Sequence, residues 1–460
     1  MKFIDLFAGL GGFHIALKDL GHECVFASEL KEDLQKLYKI NFSDTSNVVG
    51  DITKVDFNEI PEHDILCAGF PCQPFSQAGK RMGFEDEGRG NMFNYICKII
   101  EIQKNKPSFL LLENVANLKG HDNGNTWKII QEKLDALGYF VKGEILSPHQ
   151  YGFPQHRKRM YIVGVKKEIG DLINFEFPIE NKESICNIND IIDPDDANIQ
   201  VLKPETIRQL KVWQKFITLT LNNGGHIPQF PVWAMEFGAD YPFREIAPRY
   251  IDRKFLFGRH GKFGQLIDGR SFEECINQLP IYSQSGKSIV FPNWKINYIQ
   301  HNRDFYAKNQ GWIDDWIGNI RTWENSFQKL EWNCGGDDNG SMYDKIIQFR
   351  ASGIRVKQAT YSPALNLVGT QIPIIPWVKL PDICVPKYTD EQLYKFGIER
   401  KDLTHGRYLS VREAAKLQGM EKLSFDGLSN SRIYEALGNA VNTQVVKKVA
   451  TRLLNIYQHG

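Results

Sequence analysis

Up to Val165 the chain alternates short β-rich runs with amphipathic stretches that repeat every three to four residues, and this pattern predicts a mostly parallel sheet with helices on its faces. Lys2 to Phe7, Glu23 to Ser28, Asn47 to Gly50, Asp64 to Ala68 and Ser108 to Leu112 are the strand candidates. Ile15 to Leu20 and Leu34 to Tyr38 carry the helical spacing between them. Tyr139 to Ile145 and Tyr161 to Val165 read as a hairpin-like pair that completes the sheet. This half is therefore α/β, a mostly parallel sheet with helices on its faces.

From about residue 196 the texture changes: Gly, Pro, Asn and aromatic residues interleave, and every tryptophan except Trp127 lies beyond that point. A second, smaller and irregular module is expected there, as the 460-residue length also suggests. Helical periodicity returns between Arg407 and Tyr457, as in chain folding back onto the first domain. The predicted division is 1–195, 196–395 and 396–460.

Apolar residues make up 42% and charged residues 24%, values of a folded globular chain rather than a disordered or membrane one. No apolar run is long enough to span a bilayer, and the N-terminus lacks the pattern of a signal peptide, so a cytoplasmic protein is expected. The eight cysteines are scattered without a C-x-x-C pair, which signals neither a metal site nor a disulfide framework. A net charge of +1 argues against coating nucleic acid by bulk charge but leaves local basic patches open.

Chemistry gathers at predicted strand ends, where an open parallel sheet places its ligand crevice. Phe7-Ala8-Gly9-Leu10-Gly11-Gly12 joins the first strand to the first helix, and its glycines permit a sharp turn and close approach of a ligand. Glu29 ends the second strand and Asp51 the third, placed to accept hydrogen bonds from ribose hydroxyls. The spacing is G-x-G-G rather than G-x-G-x-x-G, so an adenosine without a pyrophosphate fits better than a dinucleotide.

Gly69-Phe70-Pro71-Cys72-Gln73-Pro74 follows the fourth strand, and the two prolines fix the backbone around a candidate nucleophilic thiol. Glu113 follows the apolar run Phe109 to Leu112, whose neighbours would desolvate it and keep its proton near neutral pH. Period-2 alternation would send Gln155, Arg157 and Arg159 to one face, a fork of guanidiniums suited to a phosphate or a base oxygen.

Taken together these segments, with Arg407 to Gly419 and Gly438 to Val441, resemble the cytosine-C5 DNA methyltransferase family in six motifs and in their order. The resemblance implies an S-adenosylmethionine-dependent, Rossmann-like fold. It implies a cofactor pocket from Phe7, Ala8, Gly9, Leu10, Gly11, Gly12, Glu29, Leu30, Asp51, Ile52, Gly69, Pro71, Met92, Asn439, Ala440 and Val441. It makes Cys72 the nucleophile, Glu113 the group that protonates or hydrogen-bonds N3, and Arg157 with Arg159 the pair that orients the base and the Cys72 loop. Gln73, Ser76, Arg89 and Gln155 become DNA contacts by the same resemblance. Two departures stand out: Glu87-Gly88 lengthens the segment after Phe84 by one residue, and Met92 stands where Leu is usual.

By position, 196–395 would be the target recognition domain, with Arg253 and Arg355 among its DNA-facing candidates and Trp233, Trp294, Trp312, Trp316 and Trp323 as its core. The implied partners are double-stranded DNA and, in a restriction-modification setting, a cognate endonuclease, for a protein acting as a monomer. Three rivals stay open. An RNA-directed member of the superfamily shares the chemistry, although the long insert speaks for a larger recognition surface. A non-catalytic DNA-binding relative is disfavoured by the presence of Cys72, Glu113, Arg157 and Arg159, and a nicotinamide dehydrogenase has only the glycine loop in its favour.

Overall fold

The structure, a computed structural model, describes residues 1–43, 45, 48–71, 92–182, 185–336, 338–366 and 370–458. The chain forms two compact units, one of Met1–Asp193, Thr360–Thr370 and Ser410–Gly460, the other of Pro194–Ala359 and Gln371–Leu409.

The first unit is built on β1 (Lys2–Leu6), β2 (Glu23–Ser28), β3 (Val48–Val49), β4 (Ile65–Gly69), β5 (Phe109–Val115), β6 (Tyr139–Leu146), β7 (Gln155–His156) and β8 (Arg159–Lys166). Seven of these form one sheet in the order β3-β2-β1-β4-β5-β8-β6. Pairing is parallel from β3 through β5, while β8 runs antiparallel to both β5 and β6. β4 and β5 lie inside the sheet and are buried on both faces, which is why they read as near-continuous apolar runs. The strand order reverses beside β1, so a crevice opens at the carboxyl ends of β1 and β4.

Helices α1 (Gly12–Lys18), α2 (Glu32–Asn41), α3 (Met92–Ile102) and α4 (Asn125–Ala136) connect the strands. Phe93, Ile96 and Ile100 of α3 and Ile130 and Leu134 of α4 enter a core with Ile4, Leu66 and Leu112. The opposite face of the sheet packs Phe13 and Leu17 of α1 with Val445, Val449 and Leu453 of the helix Thr443–Gln458. Each such side chain contributes about 1.5 to 3 kcal/mol on burial. The C-terminal helix is thus part of this core.

The second unit is more regular than its sequence texture predicts. It carries a six-stranded sheet, including Lys329–Asn333, Lys345–Arg350, Gly353–Gln358 and Ile374–Lys379, and two long helices, Pro204–Asn222 and Asn293–Ile317. The sequence obscures these because the first helix buries a broad face of Trp213, Phe216 and Ile217, and the second breaks helical geometry at Asn309. Its strands pair over long separations, Val232 with Leu330 for example, which no local pattern reveals. Among the described residues no helix is long and apolar enough to cross a membrane.

Candidate active site

The turn after β1 is held by its own backbone and by β2. Ala8 N–H donates to the Ser28 carbonyl at 2.8 Å and Gly11 N–H to the Ala8 carbonyl at 2.7 Å. Phe7, Gly9 and Gly11 take positive φ angles of 58°, 55° and 77°, and α1 starts directly after them. The Glu29 carboxylate accepts Gly9 N–H at 2.8 Å on Oε2 and Lys31 N–H at 2.9 Å on Oε1. Its orientation is fixed, yet each carboxylate oxygen has a second lone pair to offer a hydroxyl.

Beside Glu29, the Leu30 side chain is 68% exposed, an apolar surface next to a polar acceptor. Asp51 accepts from Thr53 Oγ1 at 2.7 Å and from Thr53 N–H at 3.0 Å, and the Thr53 hydroxyl, then its N–H, holds this carboxyl below its ordinary range. Leu10 and Ile52 are buried, Met92 is half-buried at the start of α3, and Pro71 is exposed.

The C-terminal segment closes over this loop. A Cβ on Gly12 would stand 2.4 Å from the Val441 carbonyl oxygen, and one on Gly69 would stand 3.0 Å from Val441 Cγ2 and 3.9 Å from Glu113 Oε2. The glycine loop, the end of β4, Val441 and Glu113 therefore share one small region. An open turn at Gly9, fixed acceptors on Glu29 and Asp51 and the bare Leu30 surface fit S-adenosylmethionine, whose adenosine lacks a pyrophosphate.

Glu113 pairs in register with Gly69 on β4 and Tyr161 on β8 and is only 7% exposed. Its Oε1 lies 3.2 Å from Arg159 Nε and, among the described residues, meets no group in hydrogen-bond alignment. Burial pushes the carboxyl above its ordinary range, against the pull of Arg159 and then Arg157. Arg157 is itself buried and donates to the carbonyls of Gly438 and Ala440, each at 2.8 Å; burial brings this guanidinium down to about 9. It ties the Asn439–Val441 segment to the end of the sheet.

Gln155 departs from the fork expected of it. Residues 155 and 156 form the separate short strand β7, paired with Ser362–Pro363, so Gln155 is out of line with β8. It is fully buried, and among the described residues its amide has no hydrogen-bond partner. Cys72, Gln73, Ser76 and Arg89 lie outside the described residues. In the second unit Arg253 donates to the Gly269 carbonyl at 2.8 Å, and Arg355 pairs with Glu331 at 3.1 Å, so both guanidiniums already have partners.

Asn114 belongs to the segment Glu113-Asn114-Val115, in which the sequence points to a role for Glu113 alone. Its Nδ2 donates to the Phe70 carbonyl at 3.0 Å and its Oδ1 accepts Val115 N–H at 2.8 Å, which anchors the backbone two residues before Cys72. An amide directly after Glu113 was the available signal.

A parallel sheet with one reversed strand, a glycine turn and acids at successive strand ends define a Rossmann-like methyltransferase fold. The chain belongs to the C-5 cytosine-specific DNA methylase family, whose model matches residues 1–240 and 270–455. It is 44% identical over 178 residues to the Type II methyltransferase M.HhaI of Haemophilus parahaemolyticus, a match covering 39% of this chain and 53% of that one. Over 193 residues it is 49% identical to the Type II methyltransferase M.HpaII of Haemophilus parainfluenzae, covering 41% and 52%. The chain thus spans about half the length of these curated relatives. The Type II methyltransferase M.AluI of Cellulosimicrobium cellulans is 29% identical over 97% of this chain and 91% of its own. Among solved structures, the Entamoeba histolytica methyltransferase EhMeth aligns with a TM-score of 0.53 at 15% identity, over 99% of this chain and 98% of that one, a likeness of fold.

Proposed function

We propose that this chain methylates C5 of a cytosine within a specific sequence of double-stranded DNA, with S-adenosylmethionine as donor. The observation that carries the reading is the Glu113 carboxyl, buried beside the Arg159 and Arg157 guanidiniums with its proton held more tightly than usual.

Cytosine C5 is a poor nucleophile until the ring is activated. The Cys72 thiolate adds to C6 while Glu113 donates its proton to N3, which leaves an electron-rich C5. The cofactor supplies an electrophilic methyl group on a sulfonium. Once C5 carried that methyl, loss of H5 as a proton, return of the N3 proton to Glu113 and expulsion of the Cys72 thiolate would restore the aromatic ring. Arg159 steadies Glu113 and the base, and Arg157 holds the segment that closes the cofactor pocket. C6 is hidden in a stacked duplex, so the base must swing out at a cost of a few kcal/mol, offset by contacts with Glu113 and the arginines.

The unit Pro194–Ala359 with Gln371–Leu409 supplies target recognition in this reading. The setting is restriction-modification in the cytoplasm, with a cognate endonuclease as functional partner and the protein acting as a monomer.

Labelled cofactor with duplex DNA or transfer RNA tests the substrate, and label in RNA alone overturns the reading. Cys72→Ser should abolish turnover and keep cofactor binding, because a hydroxyl is far less nucleophilic than a thiolate. Duplex DNA carrying 5-fluorocytosine should trap a covalent adduct, since fluorine cannot leave as the proton does. Bisulfite sequencing of DNA from expressing cells gives both the activity and the target.

A further inference from the structure

The second unit holds a cleft of about 510 Å³ that the chemistry above leaves unused. Its walls include Trp233, Trp294 and Tyr298. These rings meet edge to face, Trp233 with Trp294 at 88°, Trp233 with Tyr298 at 81° and Trp294 with Tyr298 at 66°. Rings set this way form a corner rather than a closed stack. Trp294, expected in the core, is instead 52% exposed and offers its surface to the cleft.

Two ammonium groups point into the same space. Lys295 Nζ lies 5.7 Å and Lys329 Nζ 5.5 Å from the Tyr282 ring centre, and among the described residues neither meets a carboxylate within 4 Å. Burial lowers both from the ordinary lysine range, and the Lys295 charge lowers Lys329 further. The one carboxylate in the lining, Glu331, is already paired with Arg350 at 2.8 Å and Arg355 at 3.1 Å. The lining therefore carries two ammonium groups against one carboxylate that is already paired, a balance that favours an anion.

Its frame is rigid. Glu236, fully buried, accepts from the Tyr282 hydroxyl and from Arg303 Nε at 2.9 Å, while Asn302 Oδ1 accepts Trp233 N–H at 2.7 Å. The Asn333 side chain, exposed at the lining, is free to read a polar edge.

We infer that this cleft binds one unpaired nucleotide of the DNA, its base against Trp294 and its phosphate on Lys295 and Lys329. A planar ring with an attached anion satisfies both features of the site, and base stacking on aromatic residues accepts any base. The inference rests on the reading of DNA as substrate, and it adds a second place where a base leaves the stack.

The test uses the full chain and thymine ligands, which keep clear of an adenosine pocket. Thymidine 5′-monophosphate should quench tryptophan fluorescence saturably, with thymidine weaker and inorganic phosphate silent. A duplex with one bulged thymine should bind more tightly than its fully paired counterpart if the source is a DNA strand. Trp294→Leu should weaken binding of both ligands about 5- to 150-fold, and Lys295→Met with Lys329→Met should erase the preference for the phosphorylated ligand. A 5-iodouracil placed at the bulge should photocrosslink to Trp294. Unchanged affinity in both variants, or crosslinks confined to the first unit, overturns the inference. Labelled-cofactor methylation by the unaltered chain, run in parallel, separates failure of this site from failure of the DNA reading.

Discussion

Arg159 Nε stands 3.2 Å from Glu113 Oε1, a contact set by strand register: Arg159 faces Val115 across β5 and β8, and Glu113 lies two residues along the same face. Burial raises the Glu113 carboxyl, and Arg159 is the larger of the two charges opposing that rise. Glu113 therefore carries its proton below its raised folded value and loses it as pH climbs through that value. The alkaline limb of kcat/KM should follow this loss. Arg159→Gln removes the main opposing charge, so the limb should move to higher pH even as the rate falls. By linkage, any stability gained from the protonated form is present at low pH and lost through the same window. A pH profile whose alkaline limb stays put in Arg159→Gln would place the titrating proton elsewhere.

Arg157 donates to two carbonyls, those of Gly438 and Ala440, from a buried position. Arg157→Met leaves both acceptors without their donor and should destabilise the protein by about 1 to 3 kcal/mol for each of them. Arg157→Lys can reach only one of them at a time and should fall between. Cofactor affinity should drop with stability, because the segment held by Arg157 carries Val441, which lies against Gly12. Urea unfolding and calorimetric cofactor titration read the two effects separately.

Asn114 donates to the Phe70 carbonyl, two residues before the proposed nucleophile Cys72. Asn114→Ala removes that hydrogen bond, and Asn114→Asp replaces its donor with an acceptor. Both should lower kcat by about 10-fold, the equivalent of one buried hydrogen bond, while the cofactor Kd holds. If the loss appears only as a lower melting temperature with kcat intact, Asn114 is merely structural.

Much of the first unit was legible because a parallel strand buried on both faces is an apolar run, and the first polar residue after it falls at the sheet's carboxyl edge. Glu113 stands out in this way after the run Phe109–Leu112, and Glu29 and Asp51 follow directly on shorter strands. What stayed hidden is non-local. The carbonyls that satisfy Arg157 lie 281 and 283 residues away, and Gln155 was misjudged because a partner strand at Ser362–Pro363 draws it out of the alternation. Trp294 looked like core by residue type, yet its exposure depends on how the helix Asn293–Ile317 sits in its own unit.

Three glycines near the cofactor loop should respond differently to one methyl group. Gly9 has an open Cβ direction but a φ of 55°, so Gly9→Ala should cost about 1 to 2 kcal/mol of backbone strain and leave the pocket's shape intact. Gly12→Ala drives its methyl to 2.4 Å from the Val441 carbonyl oxygen, and Gly69→Ala to 3.0 Å from Val441 Cγ2. Both should weaken cofactor binding, the first far more, since a backbone oxygen cannot rotate away. Val441→Ala then distinguishes them. It removes the γ-methyl that Gly69→Ala meets and should restore affinity in that double variant, but it leaves the carbonyl in place and should fail to rescue Gly12→Ala. Calorimetric Kd values for the two pairs check this, and equal rescue of both would mean that the segment at Val441 moves as a whole rather than holding its position over the glycine turn.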